Sequence, residues 1–212
     1  MNKLTTTLLL TLFLLAQSAC SQNIELPTPD NSGGIPLMEA LNKRQSTREF
    51  SNQPLSLQDI SDLCWAAWGF NRDDKRTAPS SQNKQEMDLY VFLDKGIYLY
   101  NAEDHILELI KKGDFRQHAG LQDFVATAPL NFVYVSNLAK AGVETPEAIT
   151  TESLIPSHAN SGFMAQNVYL TAASKNLGCV IRAWVDADEL HKVLNLNPMQ
   201  KALYGQTVGY RK

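Results

Sequence analysis

A cationic surplus is missing from this 212-residue chain: 19 Lys and Arg stand against 22 Asp and Glu, a net charge of −3 at pH 7. A nucleic-acid binder would show a strongly basic footprint, so that class is disfavoured. No block of like charge, internal repeat or low-complexity run interrupts the chain. His105, His118, His158 and His191 lie in different segments, with no acid or cysteine at metal-ligand spacing, so no zinc site is indicated. A G-x-S-x-G elbow and a phosphate loop are also absent. The conspicuous apolar run, Leu8 to Leu15, is too short to span a bilayer as a helix.

That run follows Lys3 and precedes the small residues Ala16, Ser18 and Ala19, with Cys20 after them. The pattern reads as a secretion signal over residues 1–20, which implies export to the periplasm or cell envelope. Two endings stay open: acylation of Cys20, giving a lipid-anchored protein, or cleavage after Ser18, giving a soluble one. Residues 21–36 carry Pro27, Pro29, Gly33 and Gly34 and read as a flexible tether. One domain over 37–212 remains, long enough for a full core. Its two cysteines, Cys64 and Cys179, sit in apolar runs as expected of buried thiols, although an oxidising compartment permits a bridge.

Within the domain, Ser56 with Asp59 three residues on predicts a capped helix that stops at Gly69. Asn71 to Gln85 reads as a loop. Leu89–Leu93 and Gly96–Tyr100 alternate as paired strands around Asp94-Lys95. A helix is expected over Asp114–Val125, a buried strand over Leu130–Val135 and a long helix over Ala159–Asn176. A strand from Val180, a short helix from Ala187 and a closing strand to Tyr210 complete an α+β sandwich. Its central sheet is mainly antiparallel and flanked by helices.

The most informative segment is Arg44-Gln45-Ser46-Thr47-Arg48-Glu49-Phe50. In extended backbone Arg44, Ser46 and Arg48 share one face, and two guanidinium forks around a hydroxyl suit a phosphate. This heptapeptide resembles the opening motif of the FMN-dependent nitroreductase family. Arg76-Thr77-Ala78-Pro79-Ser80-Ser81-Gln82-Asn83 resembles the family's second flavin loop. Gly96 to Asn101 is similar to the hairpin of its azoline-dehydrogenase-like branch. Asn160 to Leu170 and Gln206 to Tyr210 complete the order.

The resemblance implies an α/β/α sandwich, a homodimer and FMN at the interface, with chemistry that belongs to the flavin and no catalytic side chain. It implies Arg44 and Ser46 at the phosphate and Arg48 near the pyrimidine end. Pro79, Ser80, Ser81 and Asn83 approach from the partner, and Gln122 pairs with the ring edge. Arg182 and Ala183 stand near its reactive face, and Arg211 or Lys212 at the phosphate. Arg182 is also a charge inside an apolar strand, and we expect it to face the flavin or its ligand. NAD(P)H is the implied donor and a small nitro or quinone compound the acceptor. Alternatives are an azoline-type dehydrogenase of modified peptides and a non-catalytic binding protein on a degenerate scaffold.

Overall fold

The computed structural model describes residues 23–212. The expected secretion signal and Cys20 lie outside the described residues. Two helices come early, Leu37–Lys43 (α1) and Leu57–Trp68 (α2). Ser56 caps α2: its Oγ accepts the Asp59 N–H at 3.0 Å and its hydroxyl donates to the Asp59 carboxylate at 2.7 Å. Gly69 stops that helix.

A short edge strand, Ile24–Glu25 (β1), precedes these helices, and a hairpin of Phe70–Arg72 (β2) and Lys75–Arg76 (β3) follows them. The main sheet is built from Met87–Leu93 (β4), Gly96–Asn101 (β5), Ile106–Lys112 (β6) and Leu130–Asn137 (β7). After the long helix Thr151–Ser174 (α3) come Leu177–Arg182 (β8), the helix Ala187–Val193 (α4) and Gln200–Tyr210 (β9). The seven strands run in the order β1-β6-β5-β4-β7-β9-β8, every pair antiparallel. β8 is therefore an edge.

Alternate residues of a strand face opposite sides, so a strand buried on both faces must be apolar throughout. β4 and β7 satisfy this. Leu89, Val91, Phe132 and Tyr134 pack toward Leu63 and Cys64 of α2 and Met164 and Val168 of α3. Tyr90, Phe92, Val133 and Val135 pack the other way, with Leu190 and Val193 of α4. The result is the α/β/α sandwich expected from the sequence.

Three local expectations fail, each for a physical reason. The segment expected as a tether is docked instead over its described part, residues 23–36. Ile24 and Glu25 pair with Leu107 and Ile106 on the open edge of β6, and Ile24 and Leu26 join the core. Asp30 N–H donates to Asp62 at 2.8 Å and Ile35 N–H to Ser174 at 3.0 Å. An apolar pair beside an unsatisfied sheet edge outweighs the Pro and Gly content. Asp114–Val125 is not a helix but two 3-10 turns, Arg116–Ala119 and Asp123–Ala126, separated at Gly120. The Ala119 and Val125 carbonyls go to side chains of the sheet rather than to a helical ladder. Asn71–Gln85 likewise holds the β2–β3 hairpin and a 3-10 turn, Ser81–Asn83.

Candidate active site

The Arg44–Phe50 segment lies against the free edge of β8. Thr47 N–H donates to the Cys179 carbonyl at 2.9 Å, Ser46 and Cys179 form a parallel bridge, and Phe50 pairs with Arg211. Gly178 permits the approach: a Cβ there would meet Thr47 and Phe50 at 3.1–3.2 Å. The motif thus supplies side chains at the β8 edge of the sheet.

Tyr169 of α3 organises them. Its hydroxyl lies 2.8 Å from Ser46 Oγ and accepts the Ile181 N–H at 3.0 Å. The Arg44 guanidinium stacks over its ring, 5.3 Å from the centroid. Either hydroxyl of the Ser46–Tyr169 pair can donate to the other, so the contact fixes the position of Ser46 Oγ at the edge. Sequence reasoning gave Tyr169 no role; its only signal was a phenol within a helix of small and apolar residues.

Beside it is a cavity of about 280 Å³ lined by Asn42, Arg44, Gln45, Ala173, Asn176 and Arg211, among others. Arg211 is steadied by the Leu177 carbonyl, 3.3 Å from both Nε and Nη2. Among the described residues, Arg44, Arg48 and Arg211 have no carboxylate at ion-pair distance. Arg48, Ala183 and Lys212 are exposed. This edge therefore carries three arginines with no carboxylate at ion-pair distance among the described residues, and the Ser46 hydroxyl.

Pro79, Ser80, Ser81 and Asn83 are not brought to this cavity. Asn167 of α3 donates to the Ala66 and Thr77 carbonyls at the start of their loop. Tyr169, two residues on and so about half a helical turn round, faces Ser46 instead. The body of α3 divides the two sets. In the loop Gln82, Asn83 and Gln85 adopt left-handed φ values of 52°, 55° and 50°, a conformation L-residues take sparingly. Ser80 Oγ accepts the Gln85 N–H at 3.0 Å, and Arg76 holds the loop through Gln85 at 2.8 Å while stacking on Phe70. Its shape is enforced from outside.

Arg182 corrects an expectation. Its guanidinium does not face an open ligand site but is 5% exposed and turned into the layer opposite α3. It donates to the Ala119 carbonyl at 3.0 Å, Thr207 Oγ1 at 3.0 Å and Asn131 Oδ1 at 3.3 Å. Burial pushes its pKa down to about 10, so it stays cationic at neutral pH. Gln122 stands on the loop so held, half-buried, and its amide makes no hydrogen bond among the described residues. Cys64 and Cys179 are buried and unbridged, and burial raises both thiols, Cys179 to about 12. Neither is a nucleophile at neutral pH.

This order of elements, with an arginine-rich edge at β8, agrees with a match of residues 41–210 to the model of the nitroreductase family. The chain belongs to the nitroreductase family. It is therefore an FMN-dependent oxidoreductase by class. A Methanocaldococcus jannaschii protein, MJ1384, named as an inferred nitroreductase, is 30% identical over 82% of this chain and 90% of its own. A crystal structure of an inferred nitroreductase from Ralstonia eutropha superposes with a TM-score of 0.82 at 41% identity, covering 90% of both chains. The NADPH:FMN oxidoreductase of Vibrio harveyi, solved with NAD+, shares the fold with a TM-score of 0.61 at 22% identity, over 83% of this chain and 69% of that one.

Proposed function

We propose that FMN lies along the free edge of β8 and that the protein uses it to pass electrons from a reduced nicotinamide to a small nitro, quinone or related acceptor. One observation carries this reading: Arg44 and Arg211 line one cavity with no carboxylate at ion-pair distance among the described residues, next to the segment that pairs Ser46 with β8. A phosphate is the natural complement of that set. Arg44 and Arg211 neutralise it across the cavity and Ser46 donates to it. Arg48, exposed further along the motif, favours negative charge at the pyrimidine end. The unpaired Gln122 amide suits that polar edge. When bound, the flavin supplies hydride acceptance and donation, so the protein needs no acid or base of its own.

A homodimer completes the site in this reading. The Pro79–Asn83 loop is divided from Arg44 within one chain, so a second copy must bring it. Exposed apolar residues give that copy a place to dock: Ile155 and Phe163, eight residues apart on one face of α3, are 60% and 47% exposed. Export through the signal at residues 1–20, with acylation of Cys20, is part of the proposal, and intact mass of the mature protein tests it. A free, unmodified N-terminal residue other than Cys20 would refute acylation. The cofactor reading is tested by adding FMN to purified apoprotein. Saturable quenching of flavin fluorescence at one FMN per chain supports it; free flavin emission at micromolar protein opposes it.

A further inference from the structure

Arg182 is an expensive group for its position. A buried cation without a counter-ion loses its hydration, and an apolar side chain of similar volume would often be as stable or more so. Its Nε has no partner among the described residues. What the guanidinium does have is a fixed fork of donors, one reaching the loop directly and the other reaching it through Asn131. Nη1 takes the carbonyl of Ala119, at the end of the first 3-10 turn. Nη2 meets Asn131 Oδ1, and the amide of the same Asn131 donates to the Val125 carbonyl in the second turn at 2.9 Å. Thr207 closes the triangle, donating to Asn131 Oδ1 at 2.5 Å and accepting from Nη2.

The loop is fitted to the arginine from its own side. A Cβ on Gly120 would lie 1.7 Å from Nη1, so residue 120 has no room for a side chain. Leu121 N–H donates to the Trp184 carbonyl at 3.3 Å, just beyond β8. The Phe124 ring stands 5.9 Å from the guanidinium carbon and 5.6 Å from the Phe50 ring, the last residue of the flavin motif. Gln122 sits between these anchors, and its side-chain amide makes no hydrogen bond among the described residues.

We infer that Arg182 is a positioning residue, whose guanidinium fixes the Ala119–Val125 loop so that the Gln122 amide meets the polar edge of the flavin. The inference rests on the FMN reading above. Arg182 itself touches neither cofactor nor substrate. It acts through Ala119 and Asn131, and its charge stays in the protein layer behind β8.

The test is a double-mutant cycle on FMN affinity with R182M, Q122A and the double variant, joined to amide hydrogen exchange on the apoproteins. Q122A is expected to weaken FMN by about tenfold, the worth of one hydrogen bond at a ligand. R182M should weaken it similarly, and the double variant no further, because the amide it would lose is already misplaced. In apo R182M the amides of Leu121 and Val125 should exchange faster while those of β4 and β7 stay protected. R182K, which keeps a donor, should restore part of the affinity and shift the bound-flavin spectrum back toward wild type. If R182M does not fold, G120A displaces the guanidinium with Arg182 still present and should give the same coupling. Additive losses in the cycle, or wild-type protection of Leu121 and Val125 in R182M, would overturn the proposal. Wild-type affinity in Q122A overturns it at the flavin edge. Failure of the wild-type protein to bind FMN at all would instead bring down the cofactor reading beneath it.

Discussion

The Tyr169 hydroxyl stands between Ser46 Oγ, 2.8 Å away, and the Ile181 amide, 3.0 Å away, so one phenol joins the motif segment to the edge strand it lies against. The same ring carries the Arg44 guanidinium. The long helix therefore sets the cationic face, which the heptapeptide alone could not hold.

Tyr169→Phe should thus separate packing from polar order. The ring and its stacking remain, but the Ile181 amide and Ser46 lose their partner. We expect a stability loss of about 1–2 kcal/mol, the usual cost of leaving a buried donor unmade, measured by urea unfolding. FMN should dissociate several-fold faster because Ser46 loses the partner that holds its hydroxyl in place. Unchanged stability and off-rate would mean the phenol is packing only.

Assembly makes a second prediction. Phe163→Glu puts a charge on the exposed face of α3, where a partner would bury it. Sedimentation at micromolar concentration should show monomer where the wild type shows dimer, with FMN affinity lost alongside. A dimeric variant, or a monomer that keeps its flavin, would contradict the completion of the site by a second chain.

The third concerns acid stability. His105 bridges Tyr100, at 2.9 Å, and Ser61, at 2.7 Å, next to the Pro27 carbonyl of the docked N-terminal segment. Burial holds its pKa below the ordinary 6.5, against the opposing pull of the Pro27 carbonyl and Asp62. The unfolded chain then binds the proton first. Its contribution is full above pH 6.5 and is lost as pH falls from there through the lower folded value. His105→Gln should flatten the fall of unfolding free energy over that window. A slope identical to wild type would show that His105 does not titrate on unfolding.

Much of the fold was legible because its signals are local. The Ser56 cap, the Gly69 stop and the alternation around Asp94-Lys95 each act within a few residues. The failures involve long-range competition. Ile24 becomes a strand only because β6 offers an unpaired edge 83 residues away, in register at Leu107. Asp114–Val125 loses its helix to side-chain donors on β7 and β8. Of the proposed site, Arg44 and Arg211 line one cavity and Ser46 pairs with Cys179 on the β8 edge, an arrangement that follows from chain order and that edge. The direction of Arg182 was not readable, because strand parity gives a face but not what covers that face. Tyr169 was hidden because a helical phenol among small and apolar residues gives no sign of which strand or segment it will meet.

The central claim is that Arg44 and Arg211 hold a phosphate, and the contrast between FMN and riboflavin, which lacks that group, tests it most directly. Each charge-assisted contact is worth roughly 1.5–3 kcal/mol, so the pair should favour FMN by at least about a hundredfold. Affinities of both flavins are to be measured for wild type and for Arg44→Ala/Arg211→Ala. The account predicts a strong preference for FMN in the wild type and near-equal binding of the two flavins in the variant, with riboflavin affinity little changed. A variant that keeps the wild-type preference for FMN would contradict it.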